Sequence, residues 1–106
     1  MIRLLVCGIS VMDYVHRVAA LPVSEGKHRS TPFERIGGGC AANAAVAAAR
    51  LGAEVTLMTR MGADATGDEL AGLLAGQNIV PAFARGGRTP LSSVMVDPAG
   101  ERMIVN

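Results

Sequence analysis

The stretch Ile36 to Gly52, IGGGCAANAAVAAARLG, restricts what this chain can fold into more than any other part of it. Three consecutive glycines, Gly37, Gly38 and Gly39, run without a breaker into small residues whose polar members are Asn43 and Arg50. Alanine is the strongest helix former, so the spacing predicts a helix from about Cys40 to Leu51 with Gly52 as its stop. A glycine turn at a helix N-terminus presents backbone N–H groups at the positive end of the dipole, which suits an anion or a dense set of hydroxyls. The helix has no polar stripe and is therefore expected to be covered on most sides. A purely structural alanine helix has the same pattern, so a ligand loop and a plain turn both stay open here.

Composition narrows the class. Half of the 106 residues are apolar and 18% are charged, which excludes disorder and fits one domain. With two phenylalanines, one tyrosine and no tryptophan, the core must be built from Val, Leu, Ile, Ala and Met. A net charge of +1 provides no electrostatic reason for nucleic acid or an anionic membrane as partner. Cys7 and Cys40 form no disulfide framework and read as reduced thiols. The apolar runs are too short to span a bilayer and the N-terminus has no secretory pattern. The expectation is a soluble, cytoplasmic protein.

In chain order, Ile2 to Ile9 is a continuous apolar run, the pattern of a strand buried on both faces of a parallel sheet. Asp13 follows just past it, where ligands meet the carboxyl ends of strands in open α/β sheets; a capping acid would also fit. Residues 14–36 change character. Tyr14 to Val18 reads as a short strand broken at Leu21-Pro22, and His28 to Ile36 as exposed strand with Thr31, Phe33 and Ile36 in loose alternation. Pro32 argues for an edge position. Glu54 to Arg60 reads as a second core strand, and Thr66 to Ala75 as a helix capped by Asp64 or Thr66 and ended by Gly76 and Asn78. Ile79 to Phe83 is a further strand, Arg85 to Arg88 a solvated basic link, and Leu91 to Asp97 with Glu101 to Asn106 a hairpin. The order β, flap, α, β, α, β predicts an α/β fold with a mainly parallel sheet. The chain stops inside the hairpin's second strand, which reads as a piece of a longer protein.

The motifs exclude several chemistries. Gly37-x-Gly39-x-x-Ala42 matches the dinucleotide fingerprint formally, but it lies far beyond the first strand and EVTLMTR ends without the ribose-binding acid. A nicotinamide-dependent enzyme is thus disfavoured. No GxxxxGK[ST] loop occurs, and His16 and His28 stand isolated from any Cys or His at ligand spacing. Cys40 lies at a helix N-terminus with no base near it in sequence and reads as a space-filling residue.

Taken together, the early strand with Asp13, the GG-x-[GA]-x-N element at Gly38 to Asn43, the continuation AAVAAARLGAEVTLMTRMGADATGDEL and the hairpin SSVMVDPAGERMIVN resemble the N-terminal third of a PfkB-type, ribokinase-like carbohydrate kinase. The resemblance covers essentially all residues. Within that family the opening strand, the Glu25-Gly26-Lys27 turn, the triple glycine and the GERMIVN ending look most like sulfofructose kinase.

The resemblance implies a ribokinase-like α/β fold, present as the N-terminal segment of a single domain. It implies lid strands at about 14–36 and 90–106, and a homodimer through that lid. It implies ATP- and Mg²⁺-dependent phosphorylation of a small sugar, a ketohexose derivative such as sulfofructose or a related pentose or hexose. Asp13 and Asn43 would bind sugar hydroxyls, Gly38 and Gly39 would bring backbone against the sugar, Lys27 would reach an anionic substituent, and Asn106 would face the substrate. The family's aspartate base and most ATP-binding residues would lie outside this chain, so the chain alone is expected to be inactive. Cys40 stands where many ribokinases have lysine, which argues against ribose. A non-catalytic sugar-binding or β-lid dimerisation module is the alternative reading.

Overall fold

The computed structural model describes residues 1–30 and 33–106. In order along the chain the elements are β1 (Arg3–Cys7), β2 (Val11–Arg17), β3 (Phe33–Gly38), α1 (Cys40–Arg50) and β4 (Glu54–Met61). They are followed by α2 (Ala65–Ala75), β5 (Val80–Arg85), β6 (Leu91–Val96) and β7 (Arg102–Val105). The readings of Thr31 and Pro32 lie outside the described residues. Two compact units share the chain: Met1–Met12 with Gly37–Pro90, and Asp13–Ile36 with Leu91–Asn106.

The first unit holds a three-stranded sheet in the order β1-β4-β5, parallel at both pairings. Arg3 to Cys7 pair with Glu54 to Met58, and Thr56 to Met61 pair with Val80 to Arg85. Both crossovers step the same way across the sheet, so right-handed connection puts α1 and α2 on one face. Burial along β4 agrees: Val55, Leu57, Thr59 and Met61 are buried, while Glu54, Met58 and Arg60 are exposed. Together with Leu70 and Leu74 of α2 and Ala41, Ala42 and Ala45 of α1, these residues form the core. Two buried hydroxyls share it without cost, because Ser10 Oγ and Thr59 Oγ1 bond each other at 3.0 Å.

Two readings of burial are corrected. β1 is not covered on both faces: it is a sheet edge with Leu5 exposed by 62%, because pairing along its other side and packing on the open face have no partner among the described residues. α1 buries a single stripe, leaving Asn43, Ala44 and Ala47 exposed, because among the described residues it packs mainly on β1 and β4. An apolar run thus records where burial is possible, not where this segment achieves it.

The helix ends follow their chemistry. Asp64 has extended backbone and caps α2, accepting from Gly67 N–H at 2.8 Å. Gly76 ends that helix in right-handed conformation, and the left-handed residue is Asn78, with φ 65°. Arg50 in the last turn of α1 faces the negative end of the dipole and donates to Gln77 Oε1 at 3.0 Å.

The second unit carries most of a four-stranded sheet in the order β3-β2-β6-β7. β6 and β7 are the antiparallel hairpin, with Val96 opposite Arg102 and Val94 opposite Ile104. Its turn is closed by Asp97, whose N–H donates to the Glu101 carbonyl and whose Oδ1 accepts from Glu101 N–H. Among the described residues no helix is long and apolar enough to cross a membrane.

Candidate functional site

The glycine turn is built by close packing against Ile9 and Ser10, in the connection between β1 and β2. Gly39, at φ 97° and ψ 145°, is the N-cap of α1 and gives it no side-chain cap. A Cβ on Gly39 would stand 2.6 Å from the Ile9 carbonyl oxygen and 3.0 Å from Ser10 Cα. That carbonyl accepts from Ala42 N–H at 3.3 Å. One of the N–H groups expected to await a ligand is therefore already taken by the protein's own chain. Gly38 closes β3 and is buried, and Asn43 lies in the first turn of α1 with its side chain exposed. The glycine run follows β3, a strand of the four-stranded sheet, and not the first parallel strand, which is not the context of a dinucleotide loop.

In the other unit, Asp13 is the third residue of β2, and not a loop residue past β1. It is half-buried, and burial raises its carboxyl above the usual 3.8, with Arg102 acting in the opposite direction. Arg102 lies opposite Val96 on β7, and Ser92 Oγ donates to Asn106 Oδ1 at 2.6 Å. Side chains alternate along strands, so Ser92, Val96, Arg102 and Asn106 share a face, and the bonds from Met12 N–H to Pro90 and from Val18 N–H to Val96 set Asp13 beside Ser92. Asp13 and Asn106 thus meet on one sheet with β6 between their strands. Lys27 is exposed in the connection between β2 and β3. Arg102 and Ser92 were not singled out in the sequence; the period-two spacing of 102, 104 and 106 was the available signal.

His16 is half-buried and has side-chain partners. Its Nδ1 lies 2.9 Å from Ser30 Oγ and its ring is 4.9 Å from the ring of Phe33, which also stacks on Tyr14 at 6.0 Å. Those partners come from a different strand and loop, out of reach of a sequence window. His28 is exposed, with Nε2 at 2.8 Å from the Ser24 carbonyl, and both cysteines are free thiols.

In the segment read as a solvated basic link, Arg88 is exposed but Arg85 has a structural role. Arg85 ends β5, donates from Nε to the Gly62 carbonyl at 3.0 Å and pairs with Asp68 at 2.6 Å. Beside it, Asp64 accepts from the Thr89 hydroxyl, from Thr89 N–H at 3.0 Å and from Gly67 N–H. These bonds, the Thr89 hydroxyl foremost, hold the Asp64 carboxyl below its ordinary 3.8. A depressed folded-state pKa means that this stabilisation is present above about pH 4 and is lost as pH falls through the folded value. Urea midpoints taken between pH 5 and pH 2.5 are expected to fall less for Asp64→Asn than for the unsubstituted chain; equal slopes would remove Asp64 from the acid response.

The whole chain, residues 1–106, matches the pfkB family carbohydrate kinase. Fructokinase-1 of Oryza sativa is 33% identical over 98 residues, covering 90% of this chain and 29% of that protein. Fructokinase-2 of Solanum lycopersicum is 32% identical over 98 residues, again covering 90% of this chain and 29% of the relative. Phosphofructokinase-2 from Escherichia coli, solved in complex with fructose-6-phosphate, superposes with a TM-score of 0.85 at 28% identity, over 100% of this chain and 35% of that one. The chain therefore spans about a third of the length of these proteins, and its parallel sheet with two helices and a second sheet is the ribokinase-like fold.

Proposed function

This chain belongs to the pfkB family of carbohydrate kinases, and on that premise we propose that it is the N-terminal, sugar-binding part of a single ribokinase-like domain that phosphorylates a small sugar. The observation that carries this reading is the family match over every residue of a chain that spans only 29% of the fructokinases it resembles. The open sheet face bearing Leu5, Met58 and Val80, exposed by 62%, 50% and 51%, supports a domain that continues beyond these residues. Residues 14–36 and 90–106 serve as its lid strands.

In this reading Asp13 accepts hydrogen bonds from sugar hydroxyls, and the amides of Asn43 and Asn106 bind further hydroxyls. Gly38 and Gly39 bring backbone to the sugar, and Lys27 meets an anionic substituent such as a sulfonate or phosphate. Similarity to fructokinases and to a structure solved with fructose-6-phosphate supports a ketohexose derivative as substrate, a class in which the proposal includes sulfofructose. When bound, ATP would supply the phosphoryl group and Mg²⁺ would offset its charge, both held by residues outside this segment. The residues present do not fit them: no group of three His, Cys, Asp or Glu suited to a metal occurs among the described residues, and Asp64 and Asp68 are already engaged by Thr89, Gly67 and Arg85.

The test is sugar-dependent ADP release by the full-length protein with fructose, fructose-6-phosphate, sulfofructose and ribose. A ketohexose derivative is expected to give the highest kcat/KM, ribose a far lower one, and the 106 residues alone no turnover. Absence of any sugar-dependent ADP release would overturn the reading. A second reading rests on the edges of β3 and β7, unpaired among the described residues, and on the exposed Phe33, Ile104 and Val105, which fit a homodimer through the lid. Concentration-dependent stability with no sugar effect would favour that non-catalytic module.

A further inference from the structure

Asp64 makes more bonds than a helix cap needs. Capping α2 takes only the bond from Gly67 N–H, yet two further bonds come from Thr89, 25 residues away in sequence. Thr89 is 5% exposed, and its hydroxyl also accepts from Gly62 N–H at 3.0 Å, so it donates and accepts at once. The surrounding backbone is fitted to this arrangement. A Cβ on Gly62 would lie 2.6 Å from Asp64 Oδ2, and one on Gly67 would lie 2.8 Å from Thr89 Oγ1. Arg85 fixes the same corner through the Gly62 carbonyl.

What Thr89 precedes makes the position informative. The next residue, Pro90, accepts at its carbonyl from Met12 N–H at 3.0 Å. Met12 and Pro90 are the residues at which the first unit hands the chain to the second. Asp13 follows Met12 directly, and Ser92, the partner of Asn106, stands two positions after Pro90. A path of hydrogen bonds and one peptide link thus runs from the N-terminus of α2 through Asp64 to Thr89, along the chain to Pro90, and across to Met12.

We propose that Asp64 is a positioning residue, which by clamping Thr89 fixes the Pro90–Met12 pair and so holds the strand ends carrying Asp13 and Ser92 in sugar-reading register. The inference rests on the sugar-kinase reading for its kinetic consequence, while its structural half stands without it. A carboxylate suits the task because it accepts several bonds at once from two oxygens, which neither a hydroxyl nor an amide does. Thr89 suits it because its hydroxyl donates to Asp64 while accepting from Gly62.

The experiment compares Asp64→Asn, Thr89→Val and Thr89→Ser in the full-length protein, at a temperature where circular dichroism shows each one folded. Amide exchange is followed at Met12 and Thr89, with KM and kcat for the sugar measured alongside. Asp64→Asn and Thr89→Val are expected to speed exchange at both amides by about tenfold and to raise KM by about tenfold with a smaller change in kcat. Thr89→Ser, which keeps the hydroxyl, is expected to behave as the unsubstituted protein. Exchange at Met12 unchanged in Asp64→Asn and Thr89→Val would overturn the clamp and leave Asp64 a helix cap. Faster exchange with an unmoved KM would overturn its positioning role. If Asp64→Asn does not fold, the Thr89→Val and Thr89→Ser pair decides, since both keep the Gly67 cap. A protein with no sugar turnover at all fails the kinase reading separately, because the exchange data still report on the clamp.

Discussion

Gly39→Ala is expected to lower the unfolding free energy by about 3 kcal/mol, a large share of what holds a small domain together. Two causes add at this position. The backbone at φ 97° and ψ 145° lies in a region that only glycine occupies readily, at a cost of about 1–3 kcal/mol for any other residue. The added methyl would also stand 2.6 Å from the Ile9 carbonyl oxygen, a backbone atom that cannot rotate away. Relief requires the N-terminus of α1 to withdraw from β1, which breaks the Ala42 bond to Ile9 and lifts Ala41 and Ala42 out of the core. Gly52→Ala is the control, since Gly52 has a similar φ of 96° but open space around it. Its expected cost is the backbone part alone, about 1–2 kcal/mol. Urea unfolding of both variants measures the difference; equal losses would mean that the approach to Ile9 is not what demands glycine.

Asp13→Ala is expected to lower kcat/KM for the sugar about a hundredfold while leaving the fold intact. Charge-assisted hydrogen bonds contribute about 1.5–3 kcal/mol each, and tenfold corresponds to about 1.4 kcal/mol, so losing one or two such bonds sets that scale. The carboxyl is half-buried and raised above 3.8 by that burial, which means that holding it ionised costs the folded protein. A raised folded-state pKa makes stability fall as pH rises from the unfolded value through the folded one. Removing the charge is thus expected to leave stability at pH 7 unchanged or slightly higher, even as activity falls. That opposition separates a binding residue from a structural one. Arg102, on the same sheet face, offsets part of the cost, so Arg102→Ala is expected to raise the Asp13 pKa further. A stability loss in Asp13→Ala that matched the loss of activity would assign Asp13 to the scaffold.

The sequence alone determined whatever depends on local spacing. The alanine run specified α1 to within a residue, Asp64 was legible as a cap, and the alternation in LSSVMVD and ERMIVN specified the hairpin. The glycine and Asn element with its continuation through MGADATGDEL sufficed for the family, because such spacings are properties of contiguous chain.

Tertiary structure alone decided which distant groups meet. Nothing in the run Arg85 to Thr89 announces that Arg85 grips Gly62 and Asp68 or that Thr89 closes on Asp64. Likewise an apolar run such as Ile2 to Ile9 marks a strand but not its place in the sheet, and here β1 became an exposed edge. Arg102 influences the Asp13 carboxyl only because β7 pairs with β6 and β6 lies beside β2. The reason is physical: periodicity encodes which side of an element is apolar, whereas strand order and side-chain partners arise from packing between segments tens of residues apart.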